Sequence, residues 1–148
     1  IIRRFMTELE IRKIRIEPNR CEIQAALRLD VSFIINESMR QAQWLISIVF
    51  DIVHEKLVRE IGSTKPCDFA SGENSFSFAV DALDLKDIDA AVLANCGLLV
   101  ATLVTNEQKE VTRINMLFQS VPCDTHESSS KFIRIIHSPT SINNVIID

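Results

Sequence analysis

The chain has 148 residues, of which 47% are hydrophobic and 24% charged, and its formal net charge is −4. That length suits one domain that buries roughly 70% of its unfolded surface, and the composition excludes disorder throughout. The negative charge argues against binding nucleic acid chiefly through phosphates, and no apolar run reaches the about 18 residues of a transmembrane helix.

The opening IIRRF is basic and greasy but too short for a targeting segment. Residues 11–16 set Ile11, Ile14 and Ile16 among Arg and Lys and read as a strand, ended by a turn at Glu17–Pro18–Asn19. Residues 21–35 alternate with a phase slip that is expected to be a bulge. A polar connection over 36–43 leads to WLISIVFDIV, residues 44–53, which is apolar on both faces and predicts a central strand. Residues 54–60 are charged and fit a strand edge or one helical turn, and 62–72, with Pro66 and two glycines, predicts a loop. A strand over 74–81 runs into an ambiguous segment, 82–96, readable as a short helix or a long crossover. Residues 97–104 predict a buried strand, 106–109 a turn and 110–120 the returning strand of a hairpin. After a polar loop over 122–130, two short strands are expected at 131–137 and 142–147.

About eight strands at such spacing predict an all-β fold, an immunoglobulin-like antiparallel β-sandwich formed by residues 1–148 as one domain. The alternative is an α+β fold, reached if residues 38–52 and 82–95 are helical; Met39, Trp44, Ile46 and Phe50 do have helical spacing.

Chemistry-bearing residues are sparse. Asp81, Asp84, Asp87 and Asp89 follow the strand at 74–81, but no glycine lies among them and Leu83, Leu85 and Ile88 interrupt. A calcium loop needs oxygen ligands at set positions and a glycine for its sharp turn, so a solvated loop is the plainer reading. Cys123 and His126 have the spacing of half a zinc site, with only His137 and Cys96 as further candidates. His54 reads as a surface residue, and Arg3, Arg4, Arg12, Lys13 and Arg15 as the solvent face of the first strand. There is no Gly-rich phosphate loop and no Gly-x-Ser-x-Gly context. No enzyme activity, metal or cofactor is expected. Cys21, Cys67, Cys96 and Cys123 are widely spaced, which fits reduced thiols and an intracellular compartment.

Several stretches, in order, resemble the anti-silencing-function family of histone chaperones. Trp44 in AQWLISIV matches the family's Glu-Trp-Lys, and FSFAVDA (76–82) is similar to Phe-Val-Phe-Gln-Ala-Asp-Ala. LKDIDAA, GLLVATLVT, NEQKEVTRINMLF and SKFIRIIHSPTSINNVIID follow in the family's order. The resemblance implies an immunoglobulin-like sandwich, nuclear or cytoplasmic, monomeric alone, that grips histones H3–H4 without direct nucleic-acid or membrane contact. H3 helices would pack on an apolar patch with a charged rim, and the H4 tail would add a strand near the C-terminal segment. Carried over, Val49 matches a patch valine, Asp89 a rim aspartate and Arg113 the rim arginine. Leu99 falls on a central valine, Leu117 on a tyrosine, and Asn144 on the arginine that meets H4. The chain departs from the family at Arg40 and Gln41, where acidic residues precede the tryptophan, and near Val58, where a rim aspartate is expected. The family's Asn-Pro-x-Pro-Phe signature is reduced to Glu17–Pro18–Asn19. The alternative function is an immunoglobulin-like adaptor, or a carrier of a lipid or of another protein.

Overall fold

Period-two patterning yields strands almost wherever it occurs. The computed structural model describes residues 8–53, 55–122 and 132–139 and the backbone of 145–147. Among the described residues the strands are β1 (Leu9–Glu17), β2 (Cys21–Glu22), β3 (Leu27–Ile35), β4 (Met39–Ile52), β5 (Glu55–Ser63) and β6 (Cys67–Phe69). They continue with β7 (Gly72–Val80), β8 (Gly97–Val104), β9 (Glu110–Pro122), β10 (Phe132–His137) and β11 (Val145–Ile147). One helical turn, α1 (Ala90–Leu93), precedes β8.

The strands form an all-β sandwich of two sheets. The smaller has the order β11-β1-β3-β7 and the larger β2-β10-β9-β8-β4-β5, with β6 paired to the start of β4. All described pairings are antiparallel except β1 with β11. The core lies between the sheets. Ile14, Leu29, Val31, Phe33, Phe76 and Phe78 come from the smaller sheet, and Trp44, Ile46, Ile48, Phe50, Leu99 and Met116 from the larger. The Trp44 ring stacks on Phe76 with centroids 4.5 Å apart and meets Phe33 edge-on at 5.4 Å. Such aromatic pairs add to the burial of large apolar side chains. Gly97 leaves room for the Phe50 ring: a Cβ there would lie 3.0 Å from a ring carbon and 2.7 Å from the Val49 carbonyl oxygen.

Several expectations change, and the loop expected at 62–72 is one of them: the end of β5, the whole of β6 and the first residue of β7 lie within it. Residues 38–52 are strand and 82–95 contain only one helical turn, so the α+β alternative does not hold. The expected bulge moves: β3 alternates without a slip, and the irregularity lies in β1 between Ile11 and Lys13. It keeps Ile14 and Ile16 inward while Arg12 and Lys13 both stay exposed. The polar connection at 36–43 is shorter than expected, because β4 starts at Met39 and gains β6 as a partner. Residues 55–63 form a complete strand, with Leu57, Arg59 and Ile61 half-buried on one face and Val58 and Glu60 exposed on the other.

Candidate functional site

The outer face of the larger sheet carries an unusual row. β5, β4, β8 and β9 lie side by side, and their register sets Val58 opposite Val49, Val49 opposite Leu98, and Leu98 opposite Leu117. Residues in direct register share a face, so four aliphatic side chains cross four adjacent strands in line. Val58 is 58% exposed, Leu117 42% and Leu98 37%. Farther along the same face, Val121 is opposite Ile133, so aliphatic residues reach β10. An antiparallel sheet facing water on one side normally alternates apolar with polar residues.

Beside the row, Val49, Leu98, Leu117, Asp51, Lys56, Cys96 and Gly97 line a surface pocket of about 250 Å³. Asp51 and Lys56 are opposite each other across β4 and β5, one alternation from Val49 and Val58. Glu60 follows Val58 on the other side, and Arg113 lies on the face of Leu117, four residues earlier in β9. The Arg113 guanidinium donates to the Glu110 carboxylate. The rim is therefore of mixed sign.

Of the six residues taken from the sequence, the fold brings three to this face: Val49, Leu117 and Arg113. Leu99 is a correction. It is 0% exposed and packs in the core, because Leu98, its neighbour, faces outward with Leu117. Asp89 lies off the sheet in the connection to β8, where its carboxylate accepts from the Ala91 N–H at 3.3 Å and caps α1. Asn144 lies outside the described residues. Leu98 and Val58 are members of the row that sequence reasoning missed.

Of the other aspartates, Asp87 ties the 81–96 connection to β5 through its carboxylate and Asp84 through its backbone carbonyl. The Arg59 guanidinium donates to both Asp87 carboxylate oxygens, at 2.9 and 3.0 Å, and to the Asp84 carbonyl at 2.8 Å. The hydrogen bond from Arg59 holds the Asp87 carboxyl below its ordinary range, and Asp87 raises Arg59 in turn. The pair ties the 81–96 connection to β5, while Leu83, Leu85, Ile88 and Leu93 are buried in the core. Cys21, Cys67 and Cys96 are free thiols, and burial pushes the Cys67 thiol up. Cys123, His126, His54, Arg3 and Arg4 lie outside the described residues.

A strand-adding partner needs an unpaired edge. The outer edge of β10 is occupied: β2 pairs with Ile133 and Arg134, and the Ile23 N–H donates to the Phe132 carbonyl at 2.9 Å. Asn19 substitutes for a strand at Ile136, accepting from its N–H at 2.9 Å and donating to its carbonyl at 3.0 Å. Fully buried Arg134 clamps the segment from beneath, donating to the carbonyls of Ala25 at 2.6 Å, Pro18 at 3.2 Å and Ile23 at 3.3 Å, and to that of Ala26. Among the described residues, β11 is the terminal strand of the smaller sheet and pairs with β1 alone.

No family model matches the chain, and no curated protein sequence is significantly similar to it.

Proposed function

We propose that the chain is a non-enzymatic binding protein of the histone-chaperone type, with the H3–H4 dimer as its cargo. The observation that carries this reading is the aliphatic row Val58–Val49–Leu98–Leu117 on the outer face of the larger sheet, with charges at its margin. An apolar centre supplies affinity when it is desolvated, and a charged rim sets orientation and rejects wrong partners. Histones are named because the sequence resembles the anti-silencing-function chaperones over nearly its whole length, and Val49, Leu117 and Arg113 of that resemblance lie on this one face. The terminal strand β11, adjacent to Asn144 in sequence, offers an edge on which a histone tail could add.

The test is size-exclusion chromatography with light scattering on the chain mixed with recombinant H3–H4 at moderate salt. A stoichiometric complex that Leu98→Arg destroys is the expected outcome. A folded chain that forms no complex, or a Leu98→Arg variant that binds unchanged, overturns the reading.

A further inference from the structure

The apolar row does not stop at the centre of the larger sheet. It reaches β5, the edge strand, at Val58. Edge strands usually protect their exposed positions with charge. β5 does so at Lys56 and Glu60, which share the outer face with Val58, but leaves a 58% exposed valine between them. The interruption falls at the one position in register with Val49. The sequence resemblance leads one to expect an acidic rim residue near this point. A valine there neither attracts a cation nor accepts a hydrogen bond, and an ammonium held over it would lose water without compensation.

We propose that Val58 is a specificity-determining residue, which extends the contact surface onto the edge strand and selects an aliphatic partner side chain there in place of a basic one. The inference rests on the outer face being the cargo surface. The occupant it assigns is an amphipathic helix laid across the strands. Neighbouring strands are about 4.8 Å apart and a helix rises about 5.4 Å per turn. Aliphatic residues one turn apart on the helix therefore fall over Leu117, Leu98, Val49 and Val58 in turn. The partner helix carries an apolar stripe of four residues, the last of them over the sheet edge.

Titration of fluorescently labelled H3–H4 with the full chain tests this, using Val58→Ile, Val58→Thr, Val58→Asp and Leu98→Arg, each checked for an unchanged thermal transition. Val58→Ile binds at least as tightly as the parent. Val58→Thr keeps the β-branched shape but replaces a methyl that the partner helix covers, and weakens binding about fourfold. Val58→Asp weakens it at least about tenfold. Threonine and aspartate variants that both bind as the parent does overturn the assignment of Val58, as does a tighter aspartate variant, which would mean that the edge reads a cation. In either case Leu98→Arg still abolishes binding and the cargo surface stands. If the parent chain forms no complex, or Leu98→Arg binds unchanged, the surface itself is wrong and Val58 falls with it.

Discussion

On the outer face of the smaller sheet, Lys13, Ser32 and Ser75 form one cross-strand row and Arg15, Asp30 and Ser77 the next. Ser77 donates to Asp30 at 2.5 Å, and Arg28 pairs with the same carboxylate at 3.0 Å. On the outer face of the larger sheet the comparable row is Val58, Val49, Leu98 and Leu117. Both sheets bury aliphatic and aromatic side chains against each other, so the inner faces do not distinguish them. The smaller sheet ends its apolar surface at the core and turns polar groups to water. The larger sheet repeats an apolar row on its far side, and among the described residues Val58, Leu98 and Leu117 of that row stay exposed.

The largest expected effect breaks that contrast directly. Leu98→Arg places a guanidinium in the middle of the aliphatic row and abolishes H3–H4 binding in the size-exclusion assay. Ser32→Arg, the same charge at the middle of a polar row on the other sheet, leaves the complex intact. Equal losses in both variants would show that added charge, and not the apolar row, controls association.

The second prediction sets two neighbours apart. Leu99→Ala removes a fully buried side chain from the core and costs about 2–5 kcal/mol in urea denaturation. Leu98→Ala removes a surface side chain, costs at most about 1 kcal/mol of stability, and weakens cargo binding instead. If the two variants lose stability equally, the assignment of faces in β8 is wrong.

That pair also marks where the sequence stops being readable. Clean alternation makes β7 legible, and β3 as a strand though not its register, because a half-buried strand must place every second residue inward. GLLVATLV is apolar at nearly every position, so nothing in it says whether Leu98 or Leu99 faces the core. Only pairing with Leu117 decides, and pairing is not written in the segment itself. β5 is ambiguous for a different reason. Lys56 and Glu60 are what an edge strand needs on an exposed margin, and in the sequence alone the segment fits a strand edge or one helical turn equally. In the sequence Val58 stands where the resemblance implies a rim charge, and its register with Val49 is a property of the fold alone. Asp89 shows the converse. Its position in the resemblance is right for a rim, but the local backbone uses its carboxylate as a helix cap.

The third prediction concerns the edges of the larger sheet. Asn19→Ala removes both hydrogen bonds to Ile136 and exposes one rung of the β10 edge. The cost is about 1–3 kcal/mol, measured by chemical denaturation, because two main-chain groups lose their partner. Cargo binding through the aliphatic row stays unchanged. Loss of binding without loss of stability would place the contact surface at β10 and not across β4, β8 and β9.

The smallest effect belongs to the far side of β5. Val58 points out to the row, while its neighbour Arg59 turns the other way and holds Asp87 with two hydrogen bonds. Arg59 draws the folded carboxyl below its unfolded value, so Asp87 stabilises the fold above that unfolded value. The contribution is lost as pH falls through the lower, folded value. Asp87→Asn is therefore slightly less stable than the parent at neutral pH, and the two converge in acid. Because the carboxylate is exposed, added salt narrows the neutral-pH difference. Thermal denaturation across pH and salt measures both trends; a gap that persists unchanged into acid would mean that the hydrogen-bond geometry matters and the charge does not. Binding of H3–H4 by Asp87→Asn should match the parent throughout, since adjacent residues of one strand serve opposite faces. A binding defect in this variant, with stability intact, would tie the 81–96 connection to the contact surface and erase the distinction between the outer face of β5 and its inner one.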